Sequence, residues 1–232
     1  MYESILVHIP HAVPATDFNN WSNPCSVKQE ADKWTAAHID VVSRDPKNRV
    51  QFLKATRSRY VVDMERLKDD PMEAQGQGII YTMSKDGKSR RTVSDSERKS
   101  LMEQYDRYHE RLHSLTAKEG TLIIDAHSYP SEYDEAGNAS GEDVDVCIGF
   151  NDDSSRPPDS VINTVKSHFA NANYKVGINK PFANSIVGAE GTHSIMIELN
   201  KRIYINEQTL DLRPDAYKLN YFIADLYTKL LK

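Results

Sequence analysis

The sequence predicts an α/β domain spanning 1–232, built on a mixed, mostly parallel sheet flanked by helices. Three runs carry that prediction: Ser4-Ile5-Leu6-Val7-His8-Ile9, Thr121-Leu122-Ile123-Ile124 and Ser194-Ile195-Met196-Ile197. Each is a short, almost unbroken apolar stretch rich in branched residues, as expected of strands covered on both faces. Helical patterns alternate with them, which is what crossover connections between parallel strands require. Each run also ends in polar residues suited to chemistry, namely Pro10-His11, Asp125-Ala126-His127-Ser128 and Glu198-Leu199-Asn200. Ligands of open α/β sheets collect beyond the carboxyl ends of the strands, so His11, His127 and Glu198 converge if these strands are neighbours.

The elements follow in order. After the first strand, Pro10 to Pro24 is a loop, long enough to suggest a functional one. Val27 to about Val42 is expected to be helical, residues 47 to 57 a second short helix, and Ser58 to Asp63 a strand. Glycines and prolines then interrupt the pattern, and Lys85-Asp86-Gly87 lies between Gly78 to Met83 and Ser89 to Val93. Asp-Gly supplies positive φ angles, so a β-hairpin insertion is expected around 67–94, either projecting over the site or ornamental. Ser94-Asp95-Ser96-Glu97 has capping-box spacing, and Leu101, Tyr105, Tyr108, Leu112 and Leu115 recur at helical intervals behind it. His109 and His113 are four apart on that helix, but Arg107, Glu110 and Arg111 around them point to a solvated face rather than a metal pair. The acidic run from Tyr129 to Asp143 lacks the oxygen spacing of a calcium loop. Val144 to Phe150 reads as a strand, Asp159 to Phe169 as a helix, Lys175 to Ile178 as a strand, and Leu219 to Leu230 as an amphipathic closing helix.

Composition narrows the function. A net charge of −5 argues against nucleic acid as a partner. No apolar run approaches the ~18 residues of a membrane span, and no targeting segment is visible, so a cytoplasmic protein is expected. Cys25 and Cys147 form no metal knuckle and are expected to be reduced thiols. An oligomer is compatible with the sequence.

A catalytic zinc site commonly takes two histidines, a carboxylate and an open position. His11 and His127 supply the histidines, and Glu30, Asp32, Asp63 and Asp125 are all candidates for the carboxylate. Six motifs in order, Ile9-Pro10-His11-Ala12, Asp32 to Thr35, Ser58 to Arg66, Asp125 to Ser128, Asn179 to Phe182 and Glu198 to Tyr204, resemble the N-formylglutamate amidohydrolases, a family similar in fold to the zinc carboxypeptidases. The resemblance implies a phosphorylase/hydrolase-like fold and one Zn2+ per chain, held by His11, His127 and an acidic residue. That residue matches Asp32 best, with Glu30 in reserve. It also implies that Glu198 takes a proton from the attacking water and passes it to the leaving nitrogen. A small anionic N-acyl amino acid or short peptide-like substrate would meet Arg59 and Arg66, with Arg202, Asn179 and Tyr204 as further pocket residues. Ser128 lacks a nucleophile elbow and is expected to make a hydrogen bond near the metal instead.

The chain departs from the family at Ala12-Val13, at Asp63-Met64-Glu65-Arg66 in place of Asp-x-Asn-Arg, and at Ala183-Asn184-Ser185. These positions are expected in the substrate shell rather than at the metal ligands. Two rivals follow: a carboxypeptidase-like or γ-glutamyl amide hydrolase at the same zinc, and a noncatalytic metal- or anion-binding relative, against which the presence of Glu198 argues.

Overall fold

A computed structural model describes residues 1–13, 47–84, 87–131, 144–207 and 209–232. Its strands are β1 (Ser4–Ile9), β2 (Val50–Lys54), β3 (Thr121–Tyr129), β4 (Val146–Gly149), β5 (Val176–Ile178) and β6 (His193–Asn200). They form one sheet in the order β2-β1-β3-β6-β4-β5. All neighbours are parallel except β4 against β6. The three runs that predicted the fold are thus the adjacent central strands β1, β3 and β6.

Side chains alternate across each strand, so the register sorts the sheet into two faces. On one, Val7, Ile9, Ile124, Ala126, Ile195 and Ile197 form a core with Val165 and Phe169 of α2 (Asp159–Asn171) and with Leu219, Ile223 and Leu226 of α3 (Ala216–Leu230). On the other, Leu6 and Ile123 pack against Leu101, Tyr105, Tyr108 and Leu112 of α1 (Asp95–Thr116). Further along that second face, at the carboxyl ends, the same alternation places His8, Asp125 and His127. The ends of the chain close on one another, with a parallel bridge between Tyr2 and Leu231. Among the described residues no helix is long and apolar enough to cross a membrane.

Helix α1 starts as its capping signal predicts, since Ser94 Oγ accepts from the Glu97 amide at 3.3 Å. Glu97 does not complete the box; its carboxylate lies 3.2 Å from Arg91. His109 is not on a solvated face. It is half-buried, and its Nε2–H donates to the Met64 carbonyl at 2.9 Å. Burial lowers its pKa from 6.5 to about 4, outweighing the opposing effect of that hydrogen bond. The unfolded chain therefore binds the extra proton between these values, so this contribution is present above pH 6.5 and lost as the pH falls toward 4. Allowing for the ring's partial exposure, about 1–2 kcal/mol is at stake. Urea unfolding at pH 5 and pH 8 should show a smaller difference for His109→Gln than for the wild type; an unchanged difference would assign the acid sensitivity elsewhere.

Two local expectations are corrected. Residues 50–54 are the edge strand β2, not a helix, because Val50 and Leu53 find partners beside β1 that a short isolated helix would lack. Residues 58–63 form a turn, with the amides of Val61 and Val62 both donating to the Ser58 carbonyl, rather than a strand. Between 67 and 94 the strand pairing among the described residues is a single bridge, Met83 with Ser89, preceded by a 3-10 turn at Pro71–Gln75. The expected helix at 27–42, the 10–24 loop beyond residue 13, and Glu30, Asp32 and Cys25 lie outside the described residues.

Candidate metal centre

The site grows from β3. Asp125 and His127 are two apart, so the strand's pleat delivers both to the same face. Asp125 is fully buried and its carboxylate is surrounded by donors. Oδ1 lies 2.7 Å from His8 Nδ1 and 3.0 Å from His127 Nε2, and Oδ2 accepts from the Ile186 amide at 2.9 Å. Burial pushes its pKa up, but His127 and His8 pull it further down, so the carboxyl stays ionised well below the usual range. Ser185 Oγ approaches Oδ2 at 3.5 Å and hydrogen-bonds Ser194 Oγ at 2.6 Å.

His11 follows β1 and is held in the same manner. Its Nε2 lies 2.8 Å from Asp63 Oδ1, while Asp63 Oδ2 pairs with Arg59 at 3.0 Å. Asp63 is fully buried. Burial alone would raise its pKa, but Arg59 and His11 together hold it well below the usual carboxylate range. Asp63 and Asp125, two of the four carboxylates the sequence offered as ligands, thus orient the imidazoles. In both rings the aspartate meets Nε2, the same nitrogen that faces Glu65 Oε2, and His8, Asp125 and His127 by themselves form a group that could hold a cation.

The described residues supply another carboxylate. Asp63 Oδ1 also accepts from the Glu65 amide at 3.1 Å, and this tight turn folds Glu65 back toward the histidines. Glu65 Oε2 lies 2.9 Å from His127 Nε2 and 3.6 Å from His11 Nε2. The two rings are 5.0 Å apart. One N–H on His127 cannot serve both Asp125 and Glu65, and the buried Glu65 Oε2 makes no hydrogen bond among the described residues. His11, Glu65 and His127 each present a ligating atom within 4.8 Å of the others. Two imidazoles and a carboxylate oxygen without a donor fit a zinc-type cation. Glu65, at one of the chain's departures from the family, thus stands beside both histidines. Ser185, at another departure, joins the hydrogen-bond network of Asp125.

Glu198 is directly beside His127 across the β3–β6 ladder and is half-buried. Its charge reaches the neighbouring pocket: burial lifts the Cys147 thiol to about 11, with Glu198 acting in the same direction. Cys147 is a free, buried thiol, as expected from the sequence. Ser128 Oγ hydrogen-bonds the buried Tyr204 hydroxyl at 2.8 Å. Arg59 Nη1 comes within 3.3 Å of His11 Nδ1, and Arg59 Nη2 and Arg66 Nη2 both donate to the Tyr81 hydroxyl, at 3.3 and 3.4 Å. Arg66 also pairs with Asp70 at 3.2 Å. Arg202 and Asn179 sit differently. Arg202 is bound to Asp145 at 2.7 Å, and Asn179, at φ 50°, accepts from the Phe150 amide at 2.8 Å.

The N-formylglutamate amidohydrolase family model matches residues 3–205. The chain belongs to that family. The fold agrees with two crystal structures. An N-formylglutamate amidohydrolase from Ralstonia eutropha JMP134 superposes with a TM-score of 0.82 at 20% identity, covering 98% of this chain and 93% of that one. A gene product from Agrobacterium tumefaciens gives 0.69 at 16% identity, with 99% and 90% covered. No curated protein matches the chain in sequence.

Proposed function

We propose that the chain is a zinc-dependent hydrolase of the amide, or formamide, bond of an N-acyl amino acid such as N-formylglutamate. The observation that supports this most is the placement of Glu198 beside His127, itself within reach of His11 and Glu65. His11 and His127 would hold the zinc ion together with a carboxylate, which the family resemblance assigns to Asp32 and proximity assigns to Glu65. When bound, zinc supplies a water of lowered pKa and polarises the scissile carbonyl. Glu198 takes the proton from the attacking water as its oxygen bonds to the carbonyl carbon. It then delivers that proton to the amide nitrogen as the C–N bond breaks, so that acid and amino acid leave as separate products. Asp63 and Asp125 keep the two imidazoles oriented throughout. Arg59 and Arg66 meet the substrate carboxylate, with Tyr204, Asn179 and Arg202 as further pocket residues.

Hydrolysis of N-formyl-L-glutamate, its loss with a chelator and its return with zinc, tests the reading; activity that survives complete metal removal contradicts it. Carboxypeptidase-like or γ-glutamyl amide hydrolysis is a second reading, favoured by the chain's departures from the family at Ala12-Val13, Asp63 to Arg66 and Ala183 to Ser185. A panel of acylated amino acids separates the two.

A further inference from the structure

The insertion around 67–94 brings one side chain to the site that the mechanism above does not use. Ile79 and Ile80 are buried against α1, and the Ile79 carbonyl accepts from the Asp63 amide at 2.7 Å. On the far side of Tyr81, Arg91 ties the segment down, its Nε donating to the Tyr81 carbonyl at 3.0 Å and its Nη2 to the Val61 carbonyl at 2.7 Å. Tyr81 is therefore fixed from both directions, and only 6% of it is exposed. Its ring packs edge-on against Tyr60 at 5.3 Å. Its hydroxyl oxygen accepts from two guanidiniums, Arg59 and Arg66, so the phenolic proton cannot point at either of them. No acceptor for that proton is present among the described residues.

We propose that Tyr81 is a substrate-binding residue: its O–H, with Arg59 and Arg66, forms a carboxylate subsite that selects an anionic N-acyl amino acid. The inference rests on the amidohydrolase reading for the identity of the substrate, but the subsite itself is defined by its donors. Arg59 spans the short distance between the two places, since one nitrogen meets Tyr81 and the other meets His11. A carboxylate bound at Tyr81 is thus one guanidinium away from the metal centre, as an amino acid whose acyl carbonyl faces the metal would need. A hydroxyl that two cations already polarise donates more strongly to an anion than to a neutral carbonyl.

The test is calorimetric titration of glutarate, a dicarboxylate with no amide, into the zinc-loaded wild type and Tyr81→Phe. Glutarate should bind the variant about tenfold to a hundredfold more weakly, the loss expected for one hydrogen bond to a charged group. With N-formyl-L-glutamate the variant should show a raised KM and a kcat within about threefold of the wild type. A second measurement needs no variant: glutaramide, the neutral diamide, should bind the wild type at least about tenfold more weakly than glutarate. Equal glutarate affinity in Tyr81→Phe, equal affinity of the wild type for glutarate and glutaramide, or no glutarate binding at all would each overturn the proposal. A wild type that binds glutarate through Tyr81 yet hydrolyses no N-acyl amino acid would instead uphold the subsite and sink the amidohydrolase reading.

Discussion

Glu198→Gln is expected to lower kcat by about 10²–10⁴-fold while leaving the metal in place, the range associated with losing a positioned proton-transfer group. Gln has nearly the same shape and keeps hydrogen-bonding capacity, but it cannot accept the proton that an attacking water must lose. The substitution should spare the fold, because the neighbours of Glu198 on β6, Ile197 and Leu199, are fully buried on the opposite face and hold the strand without it. It should also spare metal binding, since Glu198 is outside the group formed by His11, Glu65 and His127. Steady-state kinetics on N-formyl-L-glutamate with metal content measured on the same sample decides the matter. A fully active variant would remove Glu198 from the proton path.

The second large effect is at Asp125. Asp125→Ala removes the acceptor shared by His8, His127 and the Ile186 amide, and leaves three buried donors without it. Breaking one member of a buried charged network typically costs about 3–5 kcal/mol, and losing the group that orients a ligating histidine weakens metal binding about 10–100-fold. The sign of the pH dependence follows from the lowered pKa of Asp125. Its contribution is present above the unfolded carboxyl value of about 3.9 and is lost as the pH falls below that toward the folded value. Acid should therefore destabilise the wild type more steeply than the variant in that window. Denaturant midpoints at pH 7 and pH 3.5, with zinc titration of both proteins, test both parts; a variant as stable and as tight-binding as the wild type would show that Asp125 only fills space.

What the sequence revealed was the sheet and its active edge. Unbroken branched runs are legible because burial on both faces leaves no polar alternation, so β1, β3 and β6 announced themselves and brought His11, His127 and Glu198 with them. The edge strand β2 was misread because Val50 to Lys54 is only half-buried and carries its polar residues, Gln51 and Lys54, three apart, a spacing that a short amphipathic helix shares. Two features of the site were beyond periodicity. Glu65 reaches the histidines through the hydrogen bond its amide donates to the Asp63 carboxylate, a local turn whose direction no hydrophobic pattern encodes. Tyr81 looked like a strand residue of a hairpin, and its meeting with Arg59 and Arg66 depends on how Ile79 and Ile80 dock on α1. The Asp-x-His spacing at 125 and 127 did contain a usable signal, because residues two apart on a strand share a face. Asp125, read from the sequence as one candidate for the carboxylate ligand, stands beside His127 amid a crowd of donors.

The central claim is that His11 and His127 hold a catalytic zinc ion. Native mass spectrometry of zinc-supplemented protein, comparing the wild type with His127→Ala, tests it most directly, and Asp32→Asn and Glu65→Gln measured alongside identify the acidic ligand. One zinc per wild-type chain, absent from His127→Ala and from one of the two acidic variants, is the predicted result. A wild type that takes up no metal, or a His127→Ala protein that keeps it, would contradict the account.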